Sequence, residues 1–219
     1  MQDRNILDIY KTYKIMPNLA MHMLRVASVA SMICDNWEGK DKLKKDEIIQ
    51  SALFHDMGNI IKIRLDHLPE LLKDEGIEYW QEIKKEFILR YGNDEHKATL
   101  NILKELNINV GITNLINGVG HLYFCDQLNN DDMNIKILNY ADTRVGPFGI
   151  LSYEDRMTEV SLRYKQYGNF IGDEVHEKAV SCGRDIERQI FANCKIKPED
   201  INDESAKGVI EELKNFVLR

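Results

Sequence analysis

Apolar residues recur at spacings of three and four along almost the whole chain, while the alternating runs that build half-buried strands are scarce. This pattern predicts an all-α fold, with helices over residues 3–13, 18–38, 44–57, 67–74, 78–91, 94–106, 112–124, 133–145, 152–168, 173–193 and 203–217. The punctuation agrees with it. Pro17-Asn18 opens the second helix, Gly39 closes it, Gly58-Asn59 closes the third, and Gly92-Asn93-Asp94 separates the fifth from the sixth, as caps and breakers do. The chain shows no internal repeat and no Pro/Gly/Ser-rich linker. Its strongest interruption, Gly146-Pro147-Phe148-Gly149, predicts a first helical unit over 1–150 and a C-terminal helical extension over 151–219 packed on the same unit.

Several of the apolar stripes carry residues that do not belong in a core. His22 is in phase with Val26, Val29, Ala30, Ile33 and Trp37, so an imidazole faces inward. Ile48, Ile49, Ala52 and Leu53 form the stripe of the third helix, and the next positions on that face are His55 and Asp56. Asp142 is in phase with Ile135, Leu138 and Val145. Burying an ionised carboxylate without a partner costs several kcal/mol, so inward-facing Asp56 and Asp142 require cations or strong donors nearby, and a divalent metal satisfies both. Imidazole with carboxylate is a donor set suited to Fe, Mn, Zn, Ni or Co, and less suited to Ca.

Charge and composition narrow the functional classes. A net charge of -7 with a pI near 5.4 argues against long nucleic acid as a partner. No run of about 18 uncharged apolar residues suggests a membrane span, and no basic-then-apolar leader opens the sequence, so a cytoplasmic protein is expected. Cys34, Cys125, Cys182 and Cys194 lack C-x-x-C spacing and fall in helical segments, where reduced, mostly buried thiols are expected. No G-x-x-x-x-G-K-[ST] loop is present, so phosphate recognition would fall to separate basic side chains, of which Lys62, Arg25 and Arg144 are the candidates.

The spaced pattern of His22, then Phe54-His55-Asp56-Met57-Gly58, then Asn139-Tyr140-Ala141-Asp142-Thr143-Arg144 resembles the H…HD…D signature of the HD superfamily of metal-dependent phosphohydrolases. The resemblance spans residues 18 to 146. It implies an HD-type helical bundle in which His22, His55, Asp56 and Asp142 hold a divalent cation. It also implies hydrolysis of a phosphate ester of a nucleotide or related small metabolite by metal-activated water. Asp56, Lys62 and Arg144 are the catalytic candidates.

His96 shares a helical face with Leu100 and Leu103 and is expected to point inward, whereas His121 either lines a polar cavity or faces solvent. The order His, His-Asp, His, His, Asp is similar to that of the binuclear members of the superfamily. That likeness implies one or two ions, with Asp56 bridging and His96 and His121 on the second. Gly120-His121-Leu122 holds one histidine where some binuclear relatives, cyclic-dinucleotide phosphodiesterases among them, carry two, which argues against those substrates. His67 and His176 read as structural or surface residues. Tyr153-Glu154-Asp155-Arg156 and Arg163-Tyr164-Lys165 alternate acid and base at helical spacing, marking either a solvated face, the usual meaning of the pattern, or a substrate-facing wall. Two other functions compete with the hydrolase: a di-iron oxygenase of the myo-inositol oxygenase kind, similar to the same layout, and a non-catalytic ligand-binding regulator.

Overall fold

The computed structural model describes residues 4–66, 70, 72, 75–168 and 172–218. Most of the expected 67–74 helix, with His67, lies outside the described residues. The described residues form helices joined by turns and loops, with a two-stranded antiparallel sheet in which β1 (Arg4–Asn5) pairs with β2 (Val217–Leu218). The short helix α1 (Ile6–Thr12) follows β1, with the Asn5 side chain capping Leu7 N.

Three helices position the chemistry. α2 (Pro17–Asp35) opens on Pro17, whose missing N–H costs nothing in a first helical turn. Met23, Leu24, Val26, Ala27, Val29, Ala30 and Ile33 are all buried, so α2 is packed on more than one side and forms the centre of the bundle. α3 (Lys45–Phe54) lies along α2, and α8 (Met133–Thr143) packs against both. α3 ends one turn earlier than the apolar pattern suggests. His55 is its C-cap, and Tyr10 Oη donates to the freed Leu53 carbonyl at 2.6 Å.

α4 (Gly76–Tyr91) and α5 (Glu95–Glu105) pack on the 3-10 turn Asn59–Ile61 that follows His55-Asp56. Gly58 is required there: a Cβ would sit 2.3 Å from the Glu95 carbonyl oxygen and 2.8 Å from Ala98 Cβ.

The single helix expected over 112–124 is instead broken into α6 (Val110–Ile116), a 3-10 turn His121–Tyr123 and α7 (Phe124–Leu128). The break centres on Gly120, whose φ of 146° lies in a region that L side chains rarely adopt. Buried Asn139 of α8 holds it there, accepting from Gly120 N at 2.8 Å and donating to Gly120 O at 3.2 Å.

The C-terminal third completes the same core. α9 (Tyr153–Tyr167) contacts α8 and α10 (Asp173–Phe191), α10 packs on α7 and α8, and α11 (Asp203–Leu213) packs on α2. Cys125 of α7 and Cys182 of α10 form a disulfide. The expectation of four reduced thiols is therefore corrected to two free ones, Cys34 and Cys194. The packing of α7 on α10 brings together two cysteines that no sequence spacing relates. No helix among the described residues is long and apolar enough to cross a membrane.

Candidate metal and substrate site

One face of the bundle opens into a cavity of about 760 Å³, within the range of small-ligand sites. At one end α2, α3 and α8 converge. His22 Nε2 lies 3.0 Å from Asp142 Oδ1 and 3.7 Å from Asp56 Oδ2, and His55 Nε2 lies 3.2 Å and 3.8 Å from the same two oxygens. Single ligand atoms of His22, His55 and Asp56 all fall within 4.8 Å of one another, a grouping able to hold a metal ion.

Neighbouring groups fix these donors. His55 Nδ1 is 2.8 Å from the Ala52 carbonyl, which can only accept, so Nδ1 carries a proton and Nε2 is the nitrogen that would face a metal. Asn59 Nδ2 donates to Asp56 Oδ2 at 2.5 Å, and Thr99 Oγ1 accepts from Gly58 N at 2.9 Å, anchoring the His-Asp segment to α5. Burial alone would lower the His55 pKa, but Asp56 and Asp142 outweigh it and push it up to about 9. Burial raises Asp142, yet the two imidazoles beside it hold its carboxyl well below the usual carboxylate range. Without a cation the buried His55 imidazolium and the Asp142 carboxylate thus hold each other in their charged forms. A divalent cation held by these residues would supply the positive charge that the His55 proton otherwise provides. The donor set and the locked His55 tautomer fit a divalent cation.

The structure brings together His22, His55, Asp56 and Asp142 and distributes the other expected residues. Lys62 lines the cavity beside them, its Nζ 3.5 Å from Glu95 Oε1. Burial lowers its pKa, but Asp56, Glu95 and Asp142 more than compensate, so it is held cationic. His121 also lines the cavity, with Nε2 buried and without a hydrogen-bond partner. Burial, then His176 and Arg156, push its pKa down to about 4.

His96 departs from the inward orientation expected of it. α5 buries Ala98, Thr99, Ile102 and Leu103, leaving His96 exposed at the cavity rim, where its Nε2 meets Asn117 Oδ1 at 2.8 Å. Arg25 is drawn to Asp203 of α11 at 3.2 Å.

Arg144, expected among the catalytic cations, is turned away from the site. It follows Asp142 by two residues, about 200° around a helix, and is only 2% exposed. Its guanidinium donates to the carbonyls of Leu151, Pro198 and Ile201 and to Tyr140 Oη, fastening α8 to the C-terminal segment.

Sequence reasoning left Arg156 and Arg163 as part of a surface helix or a wall, and both line the cavity from α9. Their spacing of seven, in step with Met157, Val160 and Tyr164, is the signal that could have placed them on an inner face. Asn59 was read only as a helix terminator. It is buried, lines the cavity and leaves its Oδ1 unpartnered. His176, read as structural or surface, is buried beside His121, with ring centroids 6.4 Å apart.

A family model described as HD domain matches residues 19–130, just over half of the chain. No curated protein and no solved structure matches the chain. The matched stretch contains His22, His55 and Asp56 but ends before α8, so Asp142 and the whole of α9 lie beyond it.

Proposed function

The chain belongs to the HD domain family, made up mostly of metal-dependent phosphohydrolases, and from that premise we propose that it hydrolyses a phosphate ester of a nucleotide or related small metabolite. One observation carries this reading: two imidazole Nε2 atoms and two carboxylates converge at the end of a cavity whose walls carry Lys62, Arg156 and Arg163. The convergence suits a cation, and the cationic walls suit a phosphorylated ligand.

His22, His55, Asp56 and Asp142 would hold a divalent ion of the Fe, Mn, Zn, Ni or Co group. Such an ion supplies acidification of water near neutral pH and neutralisation of phosphoryl charge. The remaining work belongs to the chain. The Ala52 carbonyl keeps His55 in the tautomer that presents Nε2, and Asn59 fixes the rotamer of Asp56. Lys62, held cationic by the carboxylates around it, is positioned to meet a phosphoryl oxygen. Apolar wall residues such as Leu19, Ile63, Met157 and Val160 exclude bulk water and suit an organic leaving group. The volume accommodates a small metabolite, and the net charge of -7 disfavours a polymeric polyanion.

The test is metal-dependent release of phosphate from a panel of nucleotides and sugar phosphates. Chelator should abolish turnover, Mn²⁺ should restore it, and Asp56→Asn should remove it while leaving the helical circular dichroism intact. Full activity in Asp56→Asn, or turnover indifferent to chelator, would refute the proposal.

A further inference from the structure

α9 presents Arg156, Met157, Val160, Arg163 and Tyr164 to the cavity, positions i, i+1, i+4, i+7 and i+8 of a single helical face. Met157 and Val160 are buried. They form an apolar floor between two guanidiniums whose side chains are only 14% and 29% exposed.

Glu159 braces both arginines. Arg156 Nη1 donates to one of its oxygens, and Arg163 Nε donates to the other at 2.7 Å. Arg156 is fixed again by donation from Nε to Val145 O at 3.0 Å, three residues beyond Asp142. Arg163 stacks its guanidinium over Tyr164, 5.1 Å from the ring centroid.

Donors are left over after this pairing. Glu159 is the one carboxylate that the two guanidiniums hydrogen-bond, and Arg156 Nη2 and both terminal nitrogens of Arg163 have no hydrogen bond among the described residues. Two like charges held together in a half-buried wall repel unless a counter-anion joins them. Asp142 is near enough to act on Arg156, which sets the pair beside the metal-ligand end and not in a remote pocket. Lys62 is paired with Glu95, whereas the α9 wall holds two guanidiniums on one hydrogen-bonded carboxylate. Forked guanidinium donors match phosphate oxygens two at a time.

We propose that Arg156 and Arg163, braced by Glu159, form an anion subsite that selects phosphomonoesters, whose terminal phosphate carries two charges, over singly charged phosphodiesters. The subsite lies in a part of the chain beyond the stretch that matches the family model. The choice of monoester rests on the phosphohydrolase reading, whereas the anion subsite itself does not.

The experiment titrates inorganic phosphate into the 219-residue chain by calorimetry, metal-free and Mn²⁺-loaded, for wild type, Arg163→Gln and Arg163→Lys. Hydrolysis of p-nitrophenyl phosphate and of bis(p-nitrophenyl) phosphate is measured in parallel. Losing one charge-assisted fork should weaken phosphate binding about tenfold or more in Arg163→Gln. Arg163→Lys should fall between, and Mn²⁺ affinity should be unchanged in both, which shows that the site is folded. Wild type should favour the monoester, and Arg163→Gln should lose most of that preference. Phosphate affinity unchanged in Arg163→Gln overturns the subsite even if wild type turns over both esters, and a wild-type preference for the diester overturns the substrate class. Arg163-dependent phosphate binding without turnover of either ester upholds the subsite and removes the hydrolase reading.

Discussion

Replacing Arg144 by Met should destabilise the protein severely without touching its chemistry. Methionine keeps most of the aliphatic stem but withdraws every donor from four acceptors, the carbonyls of Leu151, Pro198 and Ile201 and Tyr140 Oη. The guanidinium is 2% exposed, so water cannot simply replace it. At about 1 kcal/mol for each acceptor left without its donor, the lower end of the usual range, the loss is about 4 kcal/mol. That is a large fraction of the roughly 5–15 kcal/mol by which a domain is stable. For a chain of this size it corresponds to a drop in Tm of about 8–16 °C. Arg144→Lys, retaining one cation but not the fork, should lose about half as much. Differential scanning calorimetry reads the stability, and Mn²⁺ stoichiometry at low temperature reads the site, which should be unchanged. A variant with wild-type Tm and abolished turnover would refute the reasoning and return Arg144 to the catalytic residues.

Three further outcomes follow from the same structure. Gly58→Ala sets a methyl 2.3 Å from the Glu95 carbonyl. It should cost about 1–3 kcal/mol by overpacking and lower metal affinity through displacement of His55-Asp56, and a wild-type thermal transition would contradict the close approach. Cys125→Ser opens a loop closed across 57 residues, which should lower stability by up to about 4 kcal/mol in denaturant melts. An equal effect of dithiothreitol on wild type and variant would contradict it. In the metal-free protein His55 holds its second proton up to about pH 9, and coordination through Nε2 must expel it. Metal affinity should therefore weaken about tenfold for each pH unit below 9, read by competition with a chromophoric chelator, and a flat profile from pH 6 to 9 would remove His55 from the ligands.

The His/Asp cluster was legible in the sequence because ionisable residues standing in apolar stripes are costly, and their phase shows which way they face. His22, His55, Asp56 and Asp142 all met that criterion, and the three helices bring them to one place. Arg144 was misplaced because nearness in sequence to Asp142 outweighed helical phase: an offset of two sends a side chain to the opposite face. His96 was expected inward from Leu100 and Leu103; Leu103 is buried as that stripe implies, but His96 stands in the first turn of α5, where the helix reaches the cavity rim. Gly118-Val119-Gly120 contained the break in the expected 112–124 helix, but Asn139, which enforces it, lies nineteen residues from Gly120. The disulfide could not be read at all, since only the packing of α7 on α10 relates its two cysteines. The cavity wall formed by α9 was half legible: its seven-residue arginine spacing is plain, but alternating charge on a helix ordinarily means solvent.

The metal site is tested by elemental analysis of the 219-residue chain, purified without chelator and then reconstituted with excess divalent ions, for wild type and for Asp56→Asn. At least one tightly held transition-metal ion per wild-type chain is expected, and its loss from a variant that remains folded. A wild-type chain that binds no metal after reconstitution, or an Asp56→Asn variant that retains the full complement, would contradict it.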